Sequence, residues 1–250
     1  MINYKTKQEI EIMRQGGEKL KNAVSKLIPF IRVGLTTEEI DKEAEHLLKR
    51  EGVESSFKRV EGYFWTTCIT LNDQVVHTPP SKRIIKSGDV ITVDIGAYYK
   101  GFHTDYSTTF VIGEIADNRT KNFLSVGKKT LYKAIEKAKI GNRIGNISST
   151  IQNEINKNGY FVMKQLTGHG VGRDLHEDPF IPGYLERPIN KTPMLKDGLV
   201  IAIEVIYSLS TEEIKTEPGN KWSIVTADGS ISACFEHTVA IIEETTVILT

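Results

Sequence analysis

The sequence predicts a single α+β domain over residues 1–250, folded as two pseudo-symmetric α/β halves of about 1–115 and 116–250. Three observations lead there. A pair of amphipathic helical segments followed by short β-rich runs occurs twice along the chain. The second helices of the pairs match position by position: Ile40, Ala44, Leu48 and Gly52 return as Ile147, Ile151, Ile155 and Gly159, at a constant offset of 107 residues. Finally, "KSGDVITVDI" returns as "KDGLVIAIEV", which sets Asp94 against Glu204. A unit this long that occurs only twice reads as one duplicated domain, because a solenoid stacks three or more units.

Each element has a local cause. In the first half, Ile10, Met13, Leu20, Val24 and Leu27 fall at helical spacing, and Pro29 closes the segment. Thr36 and Glu39 form a capping-box pattern for the second helix, and Gly52 is placed to end it. "WTTCITL", "VITVDIGAYY" and "YSTTFVIG" are rich in β-branched and aromatic residues and predict strands. In the second half, helices are predicted through "KNFLSVGKKTLYKAIEKA" and "ISSTIQNEINKNG", and strands at "YFVMKQL", "LVIAIEVIY" and "ISACFEHTVAII". "TGHGVGRDLHEDP" has three glycines, two histidines and no hydrophobic periodicity. It is expected to be an irregular loop, since glycine weakens helix and strand alike.

Composition excludes several classes. Lys plus Arg and Asp plus Glu each number 32, so the chain lacks the basic footprint of a nucleic-acid binder. Hydrophobic residues make up 39% and charged residues 26%, as in an ordinary soluble globule. The N-terminal stretch is charged from residue 5 onward and carries no apolar signal-peptide core. No apolar run approaches the ~18 residues of a membrane span. Cys68 and Cys234 stand far apart with no Cys-x-x-Cys pair, and read as reduced thiols of a cytoplasmic protein.

The chemistry lies in misplaced acids. Asp94 and Glu204 sit in the middle of apolar strand runs, where a lone ionised carboxylate is costly unless it is paired or bound to metal. Neither strand contains a basic residue. Asp105 and Glu236 occupy the strands that follow; alternation turns Asp105, Ser107 and Thr109 to one face, and Glu236 and Thr238 likewise. Four carboxylates call for a cation between them, and His169 supplies a neutral nitrogen ligand. Such an oxygen-rich set suits Co, Mn, Fe(II) or Zn better than Cu(I). His77 and His176 each begin a His-x-x-Pro sequence and are read as hydrogen-bond donors to a substrate. His46, His103 and His237 are read as structural. The chain has no His-Glu-x-x-His, phosphate-loop or Gly-x-Ser-x-Gly pattern.

These residues resemble type I methionine aminopeptidases, of the pita-bread metallopeptidase superfamily. The resemblance runs from "EIEIMRQGG" to the terminal "VILT". It rests on "CITLNDQVVH", "VDIGAYYKGFHTDYSTTF", "GHGVGRDLHEDP", "LVIAIEV" and "KWSIVTADGSISACFEHT". It implies a pita-bread fold, with a curved antiparallel sheet around a dinuclear metal site. Asp94, Asp105, His169, Glu204 and Glu236 would bind the metals, with Asp94 and Glu236 bridging. His77 would contact the scissile amide nitrogen and His176 its carbonyl oxygen. Tyr63, Cys68 and Trp222 would line the methionine side-chain pocket. The implied activity is hydrolysis of the N-terminal methionine ahead of a small second residue, through a metal-bridging hydroxide with Glu204 as general base.

The sequence departs from the family pattern at Thr78 (usually Gly), Val205 (usually Pro), Leu175 (commonly Phe), and Phe57 and Val60 (commonly Cys and Tyr). These positions bear on the side-chain pocket and on the strand after Glu204. Two other readings stand beside the first. An X-Pro aminopeptidase or dipeptidase shares the ligand set but usually carries an additional N-terminal domain, for which the chain has no room. A non-catalytic pita-bread binding module would have lost ligands that are present here. The expected partners are peptides and nascent chains that begin with Met. A transient ribosome contact through Lys121, Lys128, Lys129, Lys133, Lys137 and Lys139 is the sharper alternative to a plain solvated face. No membrane contact is expected, and the chain is expected to be a monomer.

Overall fold

The computed structural model of the chain describes residues 1–114, 117–243 and 245–250. Helices α1 (Lys7–Phe30) and α2 (Thr37–Glu51) precede β1 (Glu54–Ser55), β2 (Thr67–Leu71), β3 (Gln74–Val76), β4 (Val90–Tyr99) and β5 (Phe102–Val111). Helices α3 (Asn118–Ile135) and α4 (Ile144–Asn156) then precede β6 (Phe161–Val162), β7 (Thr167–Gly170), β8 (Glu177–Pro182) and β9 (Leu199–Ser208). The chain closes with β10 (Ile214–Thr216), β11 (Ile224–Thr226), β12 (Ser232–Ile242) and β13 (Thr245–Ile248). The expected junction of the halves, at residues 115 and 116, lies outside the described residues.

Helix starts follow their sequence signals. Thr36 and Glu39 form the reciprocal capping box of α2, and Gly52 ends that helix at φ 74°. The expectation that Pro29 closes α1 is corrected by one residue: the helix runs to Phe30 with Pro29 in its last turn. At that position the missing proline N–H forfeits a single backbone bond. Of "YFVMKQL", Phe161–Val162 forms a strand, paired with the end of β9, and the Met163 N–H donates to the Ile206 oxygen beyond it.

One ten-stranded sheet runs in the order β1-β4-β5-β12-β9-β7-β8, with β2 on β4, β6 on β9 and β13 on β12. A second, smaller sheet runs β10-β11-β3, and Val75 and Val76 of β3 pack against Ile206 of β9 and Cys234 of β12. Period-two alternation gives the large sheet two chemically different faces. Ile91, Val93, Ile95 and Ala97 of β4 pack with Leu20, Leu27, Ile40 and Leu48 of α1 and α2. Ile201, Ile203 and Val205 of β9 and Phe235 and Val239 of β12 pack with Phe123, Leu131, Ile147 and Ile151 of α3 and α4. Each such fully buried aliphatic side chain contributes about 1.5–3 kcal/mol. The helices thus cover one face, and the alternate positions of the same strands, Asp94, Asp105, Glu204 and Glu236 among them, turn to the other.

The glycine-rich stretch is a correction. It is no loop throughout: β7 and β8 form an antiparallel pair, and β7 also pairs with β9. Its glycines permit close strand approach. A Cβ on Gly168 would stand 2.4 Å from the Ala202 oxygen, and one on Gly170 would stand 2.3 Å from the Asp178 oxygen. The same residues that weaken a free strand are what let this one fit.

Candidate metal centre and its cavity

The ladder registers carry the site. Cys68 on β2 stands opposite Asp94 on β4, and Asp94 opposite Ser107 on β5. Ser107 faces Glu236 on β12, which faces Glu204 on β9. Directly paired residues share a face, so one row across five strands collects two glutamates and an aspartate on the side away from the helices. Asp105 lies two residues along β5 from Ser107 and joins them. His169 on β7 pairs with Ala202, two residues from Glu204 on β9, and so reaches the same face. A ligand set scattered over 143 positions of sequence is thereby gathered by four antiparallel pairings.

Ligand atoms of Asp105, His169 and Glu236 lie within 4.8 Å of one another, and all three residues are buried. Asp94 and Glu204 line the same cavity beside that triad, as do His77, His176, Tyr63, Cys68 and Trp222. The cavity measures about 130 Å³. All ten site residues expected from sequence therefore meet in one place. Among the described residues no lysine or arginine lines it.

Electrostatics describe a site short of positive charge. Burial, then the charges of Asp105 and Glu204, pushes the Asp94 carboxyl well above the usual carboxylate range. Burial pushes Asp105 up to about 7. Glu204 and Glu236 are raised well above their ordinary values, by burial first and then by neighbouring carboxylates. Asp94 Oδ1 and Glu236 Oε1 are buried with no hydrogen-bond partner. Two orphaned carboxylate oxygens beside two more acids, with no basic side chain among them, is the condition a divalent cation relieves.

His169 fits the same reading. Its Nδ1 lies 2.9 Å from the Gly170 carbonyl oxygen, which can only accept, so Nδ1 carries the proton. Nε2 is then the lone-pair nitrogen, and it lies 3.5 Å from Glu204 Oε1. Burial above all, then His176, pushes the imidazole pKa down to about 3 and keeps it neutral. A backbone acceptor that fixes the tautomer of a ligating histidine is a recurrent feature of metal sites. The donor set therefore suits a hard or borderline divalent ion.

The two other histidines are held differently. His77 takes φ 57°, a left-handed conformation unusual for a non-glycine residue, at the end of β3. The His176 ring centroid lies 4.4 Å from that of His169 in an edge arrangement. Burial lowers the pKa of both His77 and His176. Thr78 uses its hydroxyl: Thr78 Oγ1 lies 2.7 Å from Ser223 Oγ, tying the His77 turn to the segment that carries Trp222. Val205 continues β9 without a break, paired with Phe235 and buried against the helices. Phe57, Tyr63, Cys68 and Leu175 form an apolar cluster flanked by Val60 and Trp222, with Tyr63 and Trp222 edge to face at 5.3 Å. His103 and His237 take structural partners, Ser56 Oγ at 2.9 Å and Thr250 Oγ1 at 3.1 Å.

Thr70, Val75, Val76, Thr92 and Cys234 also line the cavity and are not among the residues expected from the sequence. Cys234 faces the cavity, two positions before Glu236 on β12. Alternation along β12 is the sequence signal that places it there.

The matching family model, metallopeptidase family M24, spans residues 11–243. The chain belongs to that family, and its fold is the pita-bread fold expected from the sequence. It is similar to methionine aminopeptidase 1 of Bacillus subtilis, 42% identical over 97% of this chain and 96% of that one. The solved methionine aminopeptidase of Thermotoga maritima superposes with a TM-score of 0.95 at 37% identity, over 100% of this chain and 99% of that one. The prolidase of Pyrococcus furiosus is more distant, with a TM-score of 0.80 at 27% identity, and this chain covers 65% of its length.

Proposed function

We propose that this chain hydrolyses the N-terminal methionine from peptides and nascent proteins, with a preference for a small second residue. The observation that carries the reading is the union, in one 130 Å³ cavity, of the acid row, three histidines and an apolar pocket. The names of full-length relatives point the same way. Asp94, Asp105, His169, Glu204 and Glu236 hold two divalent ions, with Co, Mn, Fe(II) and Zn the candidates. Bound there, such ions polarise a carbonyl and lower the pKa of water toward neutrality.

The chain's own groups do the rest. Asp94 and Glu204 are the two partly exposed acids of the row, whereas Asp105 and Glu236 are buried; of those two, Glu204 also lies 3.5 Å from His169 Nε2, and it is the carboxylate proposed to take a proton from water entering the cavity. His176 donates to the carbonyl oxygen as charge develops on it, and His77 holds the scissile nitrogen. The cluster around Tyr63, Cys68 and Trp222 takes the thioether side chain and positions the first peptide bond over the acids. His77→Ala and His176→Ala are each expected to lower kcat/KM by about 10²-fold with metal content unchanged. Loss of metal in either variant would remove that residue from the donor role.

A peptide panel tests the substrate. Met-Gly and Met-Ala peptides should be cleaved fastest, and X-Pro peptides slowly. Faster turnover of X-Pro would replace the reading with the prolidase-like one, and a metal-free, inert protein would leave only a binding module. We place the protein in the cytoplasm, a reading supported by two buried, unpaired cysteines, and we take it to be a monomer. The six lysines of and just after α3 are exposed and offer a transient ribosome contact. Co-sedimentation with ribosomes that is indifferent to salt and to Lys128→Glu and Lys129→Glu would dismiss it.

A further inference from the structure

We infer that Lys5 and Glu177 form a buried positioning pair that sets His176 for catalysis, without touching substrate or metal. The inference rests on the role proposed for His176 above.

Glu177 follows His176 directly and begins β8. Its Oε2 accepts a hydrogen bond from Lys5 Nζ at 2.6 Å, with the two side chains only 4% and 3% exposed. Its Oε1 accepts from the backbone N–H of Arg173 at 2.8 Å and of Asp174 at 3.3 Å. One carboxylate thus fastens the turn that joins His169 to His176. Lys5 is itself anchored: its N–H donates to the Gly198 oxygen at 2.7 Å, and its Nζ also donates to the Asn3 oxygen at 3.1 Å.

The fit around the pair is close. A Cβ on Gly172 would stand 2.4 Å from both Glu177 Oε1 and Lys5 Cε. The Gly172 oxygen accepts from the His103 N–H at 2.8 Å, so the turn is clamped from the β5 side as well. A desolvated ion pair is poor evidence for stability in itself, because taking two charges out of water offsets much of their attraction. Its directional bonds do fix geometry, and here they fix the residue next to a proposed oxyanion donor. Displacement of a catalytic group by about 1 Å can lower the rate about 10²-fold.

The test is a cycle read in kcat and KM. Lys5→Met combined with Glu177→Gln removes both charges together and leaves neither buried without a partner. In the His176 background this change is expected to lower kcat about ten- to a hundredfold, with KM and metal content nearly unchanged. In a His176→Ala background it should change kcat less than about twofold, since the group it positions is already gone. Lys5→Arg keeps the charge with altered geometry, and serves where the neutral pair fails to fold: its loss of kcat should likewise vanish in the His176→Ala background. Equal losses in both backgrounds, or none in the first, overturn the inference. Full turnover in His176→Ala alone would instead overturn the role of His176, a distinct outcome.

Discussion

Glu204→Ala is expected to lower kcat by at least about 10³-fold, the largest loss of any single substitution in the site. Two functions are lost together. Glu204 stands at the end of the acid row, opposite Glu236 on β12 and 3.5 Å from His169 Nε2, so it belongs to the proposed donor set. With Asp94 it is one of the two partly exposed acids lining the cavity, and it is the proposed base. Glu204→Gln separates the two. It keeps the shape and one coordinating oxygen while removing the charge and the basicity. Metal content, measured on the purified variant, should then fall less than in Glu204→Ala, while kcat falls nearly as far. Turnover near that of the parent in Glu204→Gln would take the base role away from this residue.

The acid row was legible in the sequence because burial and charge conflict there. A carboxylate inside an apolar strand run has few explanations, and Asp94 and Glu204 present the conflict at repeat-related positions. Alternation then extended the row to Asp105 and Glu236. What stayed illegible depended on contacts between distant segments. β7 reads as a loop because its glycines look like breakers; only the neighbouring Ala202 and Asp178 carbonyls show why glycine is required. The Lys5–Glu177 pair spans 172 residues and leaves no periodic trace. The Thr78–Ser223 contact is likewise tertiary, so a departure from the family pattern could be seen but not interpreted. Cys234 could have been found by counting two positions back from Glu236, a step the sequence reading did not take.

Removal of metal is expected to abolish activity and lower the melting temperature by several degrees, with both restored by Mn, Co or Fe(II). Asp94, Asp105, Glu204 and Glu236 would bring four negative charges into one interior space. Like charges a few ångströms apart repel by several kcal/mol even at an effective dielectric of ~20. Two divalent ions cancel that formal charge, and one leaves half of it. A site held at about a hundred times its Kd in free metal adds roughly 2.7 kcal/mol to stability. The two sites should differ in strength, with the tighter one including His169, whose Nε2 is already presented as a neutral ligand; His169→Ala should therefore abolish most of the metal-dependent shift. The chelated protein should also acquire a pH dependence of defined sign. Without metal, burial raises the Asp105 carboxyl to about 7, above its unfolded value of about 4. The folded state then binds more protons than the unfolded one, so this contribution to stability is complete below pH ~4 and is lost as pH rises through about 7. Asp94, Glu204 and Glu236 are raised in the same direction and deepen the loss. Melting curves of the chelated protein should accordingly fall between pH 5 and 8, and those of the metal-loaded protein should change far less over that range. Chelation that leaves both melting and peptidase activity intact would mean that the acids are satisfied without metal, and the hydrolytic reading would fall with that result.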